Sequence, residues 1–74
     1  MPSVRPLPWR EVEWKLHAAG FVKVGQQGSH IKFVRETPHG RRVTIVPQHR
    51  EVGVGLLRAI MRKAGLTREA FERL

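Results

Sequence analysis

The sequence contains no cysteine, which excludes disulfide staples and thiolate-bound metal. Acidic residues are scarce, with 6 Asp and Glu against 14 Lys and Arg. The resulting formal net charge of +8 points to a polyanionic partner, because such side chains neutralise phosphates and release condensed counterions. No apolar run approaches the roughly 18 residues of a membrane-spanning helix. Nor does any segment join a strongly apolar helix face to a basic one, so nucleic acid is favoured over a membrane surface. The opening run Met1-Pro2-Ser3-Val4-Arg5-Pro6 lacks the apolar stretch of a signal peptide, which predicts a cytoplasmic protein. Length is short as well. With 74 residues there is room for one core, and a domain of this size buries only about 60% of the surface its unfolded chain exposes.

What is present reads as a single α+β unit. Residues 1–7 carry two prolines and no periodicity, and are expected to be a flexible N-terminal tail preceding one domain over 8–74. Pro8 fits a first helical position, and Trp9, Val12, Leu16 and Ala19 follow at helical spacing. Trp14 departs from that stripe and is expected to be partly exposed. Gly20 stands where a left-handed residue ends a helix, with Phe21 folding back onto its last turn. The period then changes to alternation. Phe21 to Val24 predicts a strand broken by Gly25-Gln26-Gln27-Gly28. Ser29 to Arg35 predicts a second, with Ile31 and Phe33 on the core face and His30, Lys32 and Val34 on the other. After a turn at Thr37-Pro38-His39-Gly40, Arg41 to Val46 predicts a third strand, with Val43 and Ile45 inward and Arg42 and Thr44 outward. Pro47 closes it. A polar connection over 48–53 leads to a helix burying Leu56, Leu57, Ile60, Met61 and Ala64, stopped by Gly65. Thr67 is placed to cap a last short helix that packs Phe71 and Leu74. The expected order is α-β-β-β-α plus a terminal helical turn, with a three-stranded antiparallel sheet and both main helices on its apolar face.

The polar sheet face carries the candidate chemistry. Alternation places His30 there on a rigid strand, with Lys32 two residues on and Arg41 and Arg42 expected across the sheet. Histidine accepts or donates a proton near neutral pH without large environmental tuning. RNA carries its own nucleophile, the 2′-OH beside the scissile phosphate. One imidazole and a few cations therefore suffice for cleavage, with no metal and no cofactor, and DNA is excluded as substrate. His49 is expected either as a solvated loop residue or in substrate contact, and a backbone amide near Ser29 is placed to touch phosphate. His39 reads as a turn residue and His17 as surface. The four histidines do not pair at helical ligand spacing, so no metal site is expected. Lys32, Arg41, Arg42, Ser29 and His49 are the RNA-binding candidates around His30, in no fixed order.

The runs Ala18-Ala19-Gly20-Phe21, Gly28-Ser29-His30, Val46-Pro47-Gln48-His49 and Leu57 to Leu66, in that order and spacing, resemble the HicA (YcfA-like) toxins. The resemblance implies a fold like the double-stranded RNA-binding domain, cleavage of messenger RNA, and inhibition by a HicB-type antitoxin protein. It also implies that the histidine of Gly28-Ser29-His30 is the catalytic residue. One departure is local: family sequences usually carry Gly-Thr-Leu at the start of the second helix, where this chain has Gly55-Leu56-Leu57. Two other readings share the charge and the fold: a non-catalytic RNA-binding module, and a protein-interaction subunit whose basic face docks an acidic partner.

Overall fold

The computed structural model describes residues 4–74. Proline fixes φ near −65°, and Pro8, at φ −62° and ψ 147°, turns an extended segment into helix α1, Trp9–Ala18. Val12 and Leu16 are buried, while Trp9 and Ala19 pack at the edge of the core. Pro8 is thus the residue before the helix rather than its first member. The helix closes through Gly20, at φ 96°. The Gly20 amide donates to His17 (3.0 Å) and the Phe21 amide to Leu16 (2.9 Å), the paired bonds of a Schellman ending.

Three strands follow, β1 (Val22–Gln27), β2 (His30–Thr37) and β3 (Gly40–Pro47), paired antiparallel in that order. β1 runs through Gly25 instead of ending before it. A register shift between Lys23 and Gly25 absorbs Val24 as a bulge, which lets a glycine-bearing strand continue. The β1–β2 turn is the two-residue loop Gly28-Ser29, with Gly28 at φ 59°, the first central position where hairpin turns favour glycine.

The phase of β3 is opposite to the expected one. Facing residues share a side of the sheet, and Phe33 faces Thr44 while Ile31 faces Val46. With Ile31 and Phe33 in the core, Thr44 and Val46 must be there too; Thr44 is 1% exposed. Val43 and Ile45 point outward and are 36% and 38% exposed. The outer sheet face therefore carries Val22, Val24, Val43 and Ile45 around the buried Val34.

Helix α2, Val54–Ala64, buries Leu57, Ile60, Met61 and Ala64 and ends at Gly65, φ 72°. Leu56, expected in the core, is exposed. The preceding connection is less polar inside than its composition implies, because Val52 is fully buried. Val52 also bridges Leu7 through Leu7 N–H to Val52 O (3.1 Å) and Val52 N–H to Leu7 O (2.6 Å). Ordered pairing thus begins before residue 8, although residues 1–3 of the expected tail lie outside the described residues. Helix α3, Arg68–Glu72, is capped by Thr67, whose hydroxyl accepts from the Ala70 amide (3.0 Å), and buries Phe71. One core forms between α1, α2 and α3 and the inner sheet face. This is the expected α+β architecture, of double-stranded RNA-binding-domain type. Among the described residues, no helix is long and apolar enough to cross a membrane.

Candidate active site

His30 opens β2 immediately after the tight turn, exposed, between Gln27 on one side and Pro47 on the other. Its position is fixed by bonds that sequence periodicity does not reveal. The Ser29 carbonyl accepts from the Gln48 amide (2.7 Å). The Gln26 side-chain amide donates to the Gly28 carbonyl and to the Gln48 side-chain oxygen, both at 3.0 Å. The turn that carries His30 is thereby latched to the segment leaving β3.

That segment brings in His49. Its carbonyl accepts the first amide of α1, from Trp9 (3.2 Å), and its own amide donates to Pro47 (2.8 Å). A helix N-terminus leaves amides without intrahelical partners, so the same bond that satisfies α1 fixes the backbone of His49. His30 and His49 both line one open pocket of ≈ 260 Å³ between β3 and α2. Thr44, Ile45, Pro47, Leu56, Ala59 and Ile60 form its mostly apolar wall, and Lys63 supplies a cation. Sequence reading missed Lys63. The available signal is its spacing: Leu56, Ala59, Ile60 and Lys63 recur at i, i+3, i+4 and i+7, which places them on one flank of α2.

The other expected cations do not gather there. Lys32 is exposed and lines the depression on the outer sheet face with Val22, Val24 and Val34. Arg41 faces Glu36 near the β2–β3 turn and pairs with its carboxylate at 2.7 Å. That pair lies six positions along β2 from His30, about 20 Å at strand rise. Arg42 lies on the helix side of the sheet, its guanidinium near Gly65, where a cation meets the negative end of α2. Ser29 is exposed in the turn. His39 sits in the β2–β3 turn, its amide donating to the Thr37 hydroxyl (3.2 Å). His17 is exposed but not idle: Nδ1 lies 3.1 Å from the Phe21 carbonyl, and the ring meets Phe33 edge-on at 5.7 Å. Trp14 is 64% exposed, as its departure from the helical stripe implies. No group of three or more His, Cys, Asp or Glu side chains is placed to hold a metal ion among the described residues.

Fold and composition together define a small basic α-β-β-β-α domain whose fold is compatible with that of the double-stranded RNA-binding domain. The family described as "HicA toxin of bacterial toxin-antitoxin" matches residues 9–66, from the first residue of α1 to just beyond α2. The chain belongs to the HicA toxin family, and is the toxin component of a toxin–antitoxin system with an antitoxin as its partner. No curated protein matches the chain.

Proposed function

We propose that this toxin is a metal-independent endoribonuclease acting on messenger RNA, with His30 as its catalytic residue. The observation that carries the reading is the convergence of His30 and His49, from separate segments, on one pocket that also holds a lysine. Cleavage of RNA without metal needs two proton transfers. The 2′-oxygen forms a bond to phosphorus as its proton leaves to a base, and the bond from phosphorus to the 5′-oxygen breaks as that oxygen gains a proton from an acid. The products are a 2′,3′-cyclic phosphate and a 5′-hydroxyl. Two histidines at one pocket suffice for both transfers, and we assign one to His30 and the other to His49. Cationic side chains stabilise the charge gathering on the phosphoryl oxygens.

The test is His30→Ala, assayed on RNA in EDTA. Loss of one proton-transfer group is expected to lower kcat by about 10²–10⁴-fold. Because His30 is exposed, the thermal transition should not move. Undiminished cleavage by the folded variant would overturn the assignment. A wild-type protein that binds RNA and never shortens it would instead establish a binding module.

The antitoxin is proposed to be of HicB type and to dock on the outer sheet face. Val22, Val24, Val43 and Ile45 are exposed there, and a contiguous exposed apolar patch of this kind marks a protein contact. Lys32 and Arg35 border the patch, and neither has a carboxylate within salt-bridge distance among the described residues. An acidic protein surface with an apolar centre complements this face. Ile45 belongs to the face and also lines the His30 pocket, so a protein covering the valines reaches the rim of the site.

A further inference from the structure

Leu56 is a large aliphatic side chain left open to solvent. It lies in the first turn of α2 and is 37% exposed. Its side chain lines the His30 pocket, with Ile45, itself 38% exposed, on the opposite wall. Both side chains leave aliphatic surface open to water, which a ligand entering the pocket would cover. Pro47 and Ala59 extend the apolar surface between them, and Lys63 stands at the cationic edge. The pocket, at ≈ 260 Å³, lies just below the small end of ligand clefts, about 300 Å³. It is too small for a base pair.

We infer that the pocket between β3 and α2 is a single-nucleotide subsite: a base lies between Ile45 and Leu56, and the adjoining phosphate is held by Lys63. The inference rests on the ribonuclease reading and adds to it the mode of substrate capture. An unpaired nucleotide inserts its base into the apolar cleft, which carries the neighbouring phosphodiester to His30. Duplex RNA cannot do this without unstacking, so the substrate is single-stranded or looped RNA. Lysine binds phosphate as a point charge, and no other cation lies on the pocket flank of α2. Arg58 and Arg62 line a separate depression with Met61, on the far side of the helix.

The test is a titration of the full chain, followed by NMR, with adenosine 3′-monophosphate and separately with inorganic phosphate. The nucleotide should move the methyl signals of Leu56 and Ile45 together with Lys63 and both histidines. Phosphate should move Lys63 and the histidines while leaving the methyls in place. Lys63→Gln should weaken nucleotide binding about tenfold. Leu56→Thr should weaken nucleotide but not phosphate, and Leu56→Met should restore it. Both positions are exposed to solvent, so the variants should keep the wild-type Tm. The inference is overturned if the nucleotide leaves the Leu56 and Ile45 methyls unmoved, or if Lys63→Gln binds it as wild type does. Because these readouts need no turnover, protein that binds in this way but does not cleave sinks the ribonuclease reading alone. Protein that cleaves without these shifts sinks the subsite alone.

Discussion

Gly65 shows how one residue's backbone requirement can be separated from its packing. It ends α2 at φ 72°, with its amide bonded to the Arg62 carbonyl (3.1 Å) and the next amide, Leu66, bonded to Met61 (2.9 Å). A Cβ added there would stand 2.9 Å from Cζ of Arg42. That contact involves the far end of a flexible side chain, which can swing aside. The left-handed φ cannot be relieved so easily, and it costs an L-residue roughly 1–2 kcal/mol. Gly65→Ala is therefore expected to lower stability by about 1 kcal/mol, a fall in Tm of roughly 4–8 °C for a domain of this size. The loss should be the same in an Arg42→Ala background, as thermal denaturation of the four proteins would show. A loss that vanished without Arg42 would mean that crowding, not backbone conformation, selects glycine. The same geometry gives Arg42 a place at the end of α2, distant from His30.

Among the elements, β3 is where sequence pattern and structure part. Its apolar positions 43, 45 and 46 fit either phase, and alternation alone favours Val43 and Ile45 inward. The deciding constraint lies in the turn. With a two-residue loop, Pro38-His39, odd positions on β2 face even ones on β3, as Phe33 faces Thr44. Burying Ile31 and Phe33 then compels Thr44 and Val46 inward, and a one-residue change of register would flip the whole strand. Thr44→Glu should place an unpaired carboxylate in the core and cost on the order of 3 kcal/mol or more. Val43→Glu should change stability by within about 1 kcal/mol. Urea denaturation of the two variants checks this, and the reverse ranking would restore the opposite phase. The helices were legible because wide apolar stripes end at glycines, and the strand order because short loops leave few alternatives. The β1 bulge was not, since it depends on what β2 presents to it. In the site, His30 was readable from alternation, and Lys63 was readable in principle from its spacing to Leu56. That His49 shares a pocket with His30 was not, because it depends on the Gln48–Ser29 and Trp9–His49 backbone bonds. Sequence groups Lys32, Arg41 and Arg42 with His30, but Lys32 opens onto the outer-face depression, Arg41 lies near the β2–β3 turn, and the phase of β3 turns Arg42 to the helix side of the sheet.

Across the molecule, two surfaces with different chemistry meet at Ile45. One is the pocket with two histidines and a lysine, and the other is the valine face with its cationic border. If the antitoxin docks on the second, inhibition and catalysis are separable by substitution. Val22 is 56% exposed and Val43 36%, and neither lines the His30 pocket. Val22→Glu combined with Val43→Glu should leave the fold and RNA cleavage near wild type, because the imidazoles keep their backbone anchors. The double variant replaces apolar contact with two buried carboxylates facing an acidic partner. With these valines as hot spots at the centre of the interface, their loss costs about 2 kcal/mol or more, so antitoxin affinity should fall by at least about 30-fold. Growth arrest by the double variant should then persist when the antitoxin is co-expressed, whereas His30→Ala should still bind the antitoxin while arresting nothing. Calorimetry with the co-expressed antitoxin, alongside cleavage assays of the same preparations, reads both halves. Wild-type affinity in the doubly substituted protein would mean that the antitoxin approaches from the α2 side instead. Inhibition would then depend on filling the pocket itself, and Leu56 and Lys63 would be the contacts to substitute next.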